Sequence, residues 1–171
     1  MKYLELIEKN RELGTLLQNE KFEIHILSNI IVNELKNVLE YNLRINNLNA
    51  DCFITDYDNI IQNIDKSKKV QCIIIFWELC NVFNEVLYVQ DTINEEKLLD
   101  IEKRFFDQID YIFDNLKNSR MVIFNKFTLN QFNNSFYYNT KIEKLCLKLN
   151  DYLESLKKRN FHLIDLNKIF N

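Results

Sequence analysis

Phe22-Glu23-Ile24-His25-Ile26-Leu27-Ser28-Asn29 is a run of β-branched and large apolar residues that stops at a serine and an asparagine. A helical pattern (Leu35, Val38, Leu39, Leu43) follows at once. The pair predicts a strand over 22–27 that breaks into a helix from about 30 to 45, ended by Asn46-Asn47. A strand ending this way sets its last side chain at the carboxyl edge of a sheet, where open α/β folds bind ligands. The turn also leaves backbone N–H groups facing any nearby anion. Ser28 thus stands where a nucleophile or an oxyanion ligand stands, with Asn29 beside it.

The same alternation continues along the chain. Val70 to Trp77 is the most apolar run, and its continuity predicts a central parallel strand covered on both faces. Glu78, Asn81 and Asn84 follow it. Shorter runs at 51–55, 121–124 and 161–164 predict three more strands, with Asp165 opening the tail. Between them lie a short helix near 59–64, a long helix to about Asn118, and another through Ile142, Leu145, Leu149, Leu153 and Leu156. Thr92 with Glu95 reads as the capping box of the long helix. Leu4, Ile7, Leu13, Leu16 and Leu17 mark a leading amphipathic helix over residues 1–20, packed against a single globular unit over 21–171. Strands alternating with helices give a three-layer α/β/α fold on a five-stranded parallel sheet. A flavodoxin-like order, 2-1-3-4-5, makes strands 1 and 3 the switch point, so that Ser28 faces Glu78 and Asn81 across one crevice.

Composition removes several function classes. A net charge of −3 makes no electrostatic case for nucleic acid or an anionic membrane. No apolar run approaches a membrane span, and the acidic amphipathic start is unlike a signal peptide. The single glycine, Gly14, rules out glycine-rich phosphate loops of the P-loop or dinucleotide type. The four cysteines lie far apart with no paired spacing, so reduced buried thiols are expected rather than a metal site. These features predict a cytoplasmic protein without a metal or cofactor. The loop from Asn125 to Tyr138 is long, polar and aromatic; Phe127, Phe132, Phe136, Tyr137 and Tyr138 either line a pocket or close the core.

Four segments together resemble a known family: Ile26-Leu27-Ser28-Asn29, Thr55-Asp56-Tyr57-Asp58, the strand from Ile73 to Glu78, and Leu149-Asn150-Asp151 with His162-Leu163-Ile164-Asp165-Leu166. In order and spacing they look like the SGNH/GDSL-hydrolase-like domain, and more closely the version that opens FkbH-like proteins. The likeness covers residues 20 to 170. In that family a phosphatase-like HAD domain follows. The resemblance implies a role in loading a glycerate-derived three-carbon unit onto an acyl carrier protein, in polyketide or surface-polysaccharide pathways. Expected partners are therefore an acyl carrier protein or its phosphopantetheine-linked acyl group, and a C-terminal HAD domain.

An active member needs a serine nucleophile, oxyanion donors, and a histidine three residues after a C-terminal aspartate. Ser28 matches the nucleophile and Asp165 the aspartate, but the residue three further on is Lys168. Serine is a weak nucleophile until a base takes its proton. His25 and His162 each sit inside a predicted strand and read as structural. The family's oxyanion glycine falls near Asp56, whose carboxylate repels a developing oxyanion, and Asn81 reads as a helix cap. The Asp56-Tyr57-Asp58 segment also looks superficially like a HAD phosphatase signature, but a turn with a helix cap explains it. The resulting expectation is a degenerate recognition or docking domain, with binding residues Asn29, Asp56, Glu78 and Asn81. The alternative is an active esterase or acyltransferase using Ser28.

Overall fold

The computed structural model describes residues 2–81, 94–128 and 141–170. Five strands form one sheet: β1 (Phe22–Ser28), β2 (Ala50–Ile54), β3 (Cys72–Phe76), β4 (Val122–Asn125) and β5 (Phe161–Ile164). Their order is β2-β1-β3-β4-β5, with every pairing parallel. The apolar run is the central strand because each of its residues Cys72 to Ile75 is buried. Alternate side chains point to opposite sheet faces. Ile24, Ile26, Cys72 and Ile74 meet Leu35, Leu39 and Leu43 of α2 (Asn33–Arg44) on one face. Leu27, Ile73, Ile75, Val122, Phe124 and Phe161 meet the other face's helices. Those are α3 (Ile60–Ser67), α4 (Glu95–Leu116) and α5 (Lys141–Leu156), which supply Ile64, Ile109 and Leu149 among others. The three-layer α/β/α expectation and the 2-1-3-4-5 order are both observed.

The differences are local. Ser28 is itself the last strand residue, in register with Phe76. α2 starts at Asn33, after the expected start at about 30, and leaves Ile31 exposed in the turn. Trp77 leaves the sheet because its N–H donates to the Asn125 side-chain oxygen at 2.7 Å, so the strand ends at Phe76 although the apolar run goes on. α4 is capped by Asn94, whose side chain accepts from the Glu96 N–H at 3.0 Å. Thr92 lies outside the described residues. The tail after Asp165 is a short helix, α6 (Leu166–Phe170), whose five residues are too few to show a period. No helix among the described residues is long and apolar enough to cross a membrane.

The leading helix α1 (Tyr3–Leu16) docks by a polar route. Leu4 and Leu16, read as packing positions, are exposed. Buried Asn10 instead donates to Glu40 of α2 at 3.0 Å, and Arg44 donates to the Asn10 side-chain and main-chain oxygens at 2.8 and 3.0 Å. Arg44 also donates twice to the Ala50 carbonyl, at 3.1 and 2.7 Å. Glu40 accepts from the Cys52 N–H at 2.9 Å and lies 3.5 Å from Arg44. Gly14 lets the guanidinium in, since a Cβ there would stand 2.9 Å from Arg44 Nη1. Removing one partner of such a buried cluster strands the others. Arg44→Ala is therefore expected to lower unfolding stability by about 3 kcal/mol, read as a lower urea midpoint, with α1 amides losing hydrogen-exchange protection first.

Candidate functional site

The carboxyl ends of β1, β3 and β4 meet in a buried polar network. Asn29, fully buried, donates from its amide to the Glu78 carbonyl and accepts the Glu78 N–H, both at 2.8 Å. Its own N–H continues the ladder to the Phe76 carbonyl at 3.1 Å. Asn125, at the end of β4, does the same for Trp77: its oxygen accepts the Trp77 N–H, and its amide donates to the Trp77 carbonyl at 3.2 Å. That amide also donates to one Glu78 carboxylate oxygen at 2.6 Å, and the Thr128 hydroxyl donates to the other at 3.0 Å. Residues 77 and 78 have left the sheet, and two asparagine side chains replace their lost strand partners.

Glu78 is 5% exposed, and burial pushes its carboxyl up to about 7, against the downward pull of the Thr128 hydrogen bonds. Cys146 of α5 lies near enough to feel that charge. Burial, helped by Glu78, pushes its thiol up to about 12. Cys52 and Cys72 are likewise buried, with thiols pushed up to about 12 and about 11 by burial. None of the three offers a thiolate near neutral pH.

Ser28 is 4% exposed, on the α2 face of the sheet with Ile24 and Ile26. Its hydroxyl donates to the Ile30 carbonyl at 2.8 Å and accepts the Ile30 N–H at 3.0 Å, a closed local ring. His25, an odd number of residues earlier, points to the other face, where Nδ1 pairs with the Ser67 hydroxyl at 2.9 Å. Burial lowers its pKa. His162 is exposed on β5. Asp165 follows β5, which is separated from β1 by β3 and β4 in the sheet order. At the usual strand spacing that is about 14 Å. Lys168 is mostly exposed, with its ammonium 3.8 Å from Asp165. No imidazole and no amine faces the Ser28 hydroxyl among the described residues.

Of the other residues singled out by sequence, Asn81 is brought to this edge and Asp56 is not. Asn81 sits in a 3-10 turn (Leu79–Asn81), and its amide donates to the Asn29 carbonyl and to the Tyr57 hydroxyl. It ties β1 to the β2–α3 turn. Asp56 is exposed on that turn. Asp58 takes a left-handed backbone (φ 56°), with its N–H on the Ser28 carbonyl at 3.1 Å. Phe127 is fully buried against Trp77, Phe105 and Phe124, which makes it core. The remaining aromatics of its loop, Phe132 to Tyr138, lie outside the described residues. Sequence reading missed Asn125 and Thr128; the available signal was an asparagine closing an apolar strand.

A cleft of about 330 Å³ opens beside Ser28. Ile30, Val32 and Ile54 give it apolar walls, Thr55 a polar one, and exposed Ile31 and Tyr57 stand at its mouth. Its volume falls in the range of small-ligand sites.

No family model matches the chain, and no curated protein does. A solved structure similar in fold is that of the N-terminal part of the protein BF1531 from Bacteroides fragilis, containing a phosphatase domain and complexed with Mg. The TM-score is 0.72 at 15% identity, over 99% of this chain and 46% of that one. At that identity the likeness is one of fold. The present chain spans less than half the length of that structure.

The network has a pH consequence. The folded state holds the Glu78 proton more tightly than the unfolded chain, whose carboxyl titrates near 4.5. The stabilisation from this group is therefore complete below pH 4.5 and is lost as pH rises through about 7. Glu78→Gln keeps one acceptor and one donor in place. It is expected to flatten the stability profile across that window, by at most about 3 kcal/mol, as read from urea unfolding at pH 5 and pH 8.

Proposed function

We propose that the chain is a catalytically degenerate SGNH-like recognition domain, of the kind that opens FkbH-like proteins. Its cleft at Ser28 receives the acyl or phosphopantetheine-type arm of an acyl carrier protein, in polyketide or surface-polysaccharide synthesis. The observation that carries this reading is the Ser28 hydroxyl itself. It is closed onto the Ile30 backbone beside an open cleft, and among the described residues no imidazole or amine faces it.

Acyl transfer from a serine needs a proton acceptor within hydrogen-bond reach of the hydroxyl. The family aspartate position, Asp165, lies at the far side of the sheet, and Lys168 is solvated. The apolar walls and the open mouth suit a thin, flexible, partly apolar chain. Backbone N–H groups at the start of α2, whose first position has no side-chain cap, suit its polar end. The similarity in fold to part of a protein with a phosphatase domain supports an adjoining HAD-type domain as the second partner.

Two measurements test the reading. With p-nitrophenyl acetate, Ser28→Ala is expected to leave turnover unchanged within about twofold, whereas a working triad loses at least about a thousandfold. In a titration of isotope-labelled protein, holo acyl carrier protein is expected to shift amides of Ile30, Ile31, Thr55 and Tyr57, and the apo form to leave them in place. Equal shifts from both forms, or none, count against arm recognition.

A further inference from the structure

A second cavity, of about 390 Å³, lies between α3 and α4 above the end of β3. It opens on the opposite side of the sheet from the Ser28 cleft. Its floor is buried Trp77, packed on Phe105 with ring centroids 4.9 Å apart. Arg104 and Gln108 of α4 stand four residues apart, hence on one helix face, and Gln62 of α3 is opposite them. Asn81 and Asp58 complete the wall.

The cavity sets open hydrogen-bonding groups above a buried aromatic floor. Asn81 is engaged with Asn29 and Tyr57. Among the described residues, by contrast, the Arg104 guanidinium, the Gln62 and Gln108 amides and the Trp77 indole N–H take no protein partner. Arg104 and Asp58 line one cavity without pairing to each other. Trp77 also has its backbone N–H and carbonyl held by Asn125, so its position does not depend on what fills the cavity. A fixed aromatic floor with one cation and several neutral donors around it suits a planar or tetrahedral oxyanion, which a guanidinium binds in bidentate fashion.

We propose that this cavity is an oxyanion site, anchored by Arg104, for a carboxylate or phosphate ligand. Gln62 and Gln108 read the remaining oxygens. Asp58 disfavours a bare anion and selects a ligand that also carries a hydrogen-bond donor. The site does not rest on the reading of the Ser28 cleft, and each stands or falls alone.

Trp77 is the chain's single tryptophan, so intrinsic fluorescence reports on this cavity directly. The full chain is titrated with inorganic phosphate and, separately, with acetate, against sodium chloride at matched ionic strength. A saturable change with phosphate, acetate or both, absent with chloride, is expected, and the stronger arm assigns the ligand class. Arg104→Gln is expected to weaken it at least tenfold and Arg104→Lys to weaken it less. Asp58→Asn, which suits the left-handed backbone at that position, is expected to tighten it. Gln108→Leu supplies an independent loss should the Arg104 variants fail to fold. No saturable response in the parent chain, a response matched by chloride, or one unchanged in both Arg104→Gln and Gln108→Leu overturns the proposal.

Discussion

The carboxyl edge of this sheet depends on the reciprocal pair of hydrogen bonds between the Asn29 side chain and the backbone of Glu78. Once β3 ends at Phe76, the chain must turn away while still buried, and its peptide groups lose their ladder partners. A carboxamide has one donor and one acceptor at peptide spacing, so Asn29 replaces a missing strand for residue 78, and Asn125 does so for residue 77. Without these substitutes, each buried peptide group left unpaired would cost about 1–3 kcal/mol. The Glu78 carboxyl is the consequence. Fixed at both backbone ends and enclosed by Asn125 and Thr128, it has little water to solvate its charge, and its proton affinity rises.

The central architecture was legible because burial writes a simple signal. Cys72 to Ile75 are buried on both sheet faces, so the run is continuous, and Ile24, Ile26 and Leu27 follow the same rule. The alternation of strands and helices implied the parallel sheet, and the flavodoxin-like order taken for it is the one observed. The edges were less legible, because ends are decided by who accepts which hydrogen bond. Trp77 is as apolar as any strand residue, yet Asn125, 48 residues away, takes its N–H. The docking of α1 was misread for a related reason. Its apolar side chains suggested a greasy face, while the attachment runs through Asn10, Glu40 and Arg44, a polar set with no periodicity to find.

At the candidate site, position was legible and state was not. Ser28 stands at the end of β1 as the strand-to-helix break implied, and the missing histidine could be counted from Asp165. That the hydroxyl would close on Ile30 depends on the turn geometry before α2, which begins at Asn33 and not at about 30. The partners of Glu78 lie 47 and 50 residues away, so no local spacing announces them. The sequence placed Glu78 at the crevice, but its enclosure by Asn125 and Thr128 appears only in the fold.

The Tyr57–Asn81 hydrogen bond divides this edge into two unlike spaces. Tyr57 lines the cleft beside Ser28, and Asn81 lines the cavity beneath Arg104. The division follows from the pleat. β1 presents Ser28 to the α2 side and Leu27 to the side of α3 and α4, so whatever docks at its end meets an apolar isoleucine-lined wall on one side and a polar helix pair on the other. Asn81 also holds the Asn29 carbonyl, so the partition is anchored to the same asparagine that closes the end of β3. Among the described residues, no imidazole or amine faces the Ser28 hydroxyl, which is closed on the Ile30 backbone. Among the described residues, what this edge presents is shape, backbone N–H groups at the turn before α2 and, on the other side, the Arg104 guanidinium.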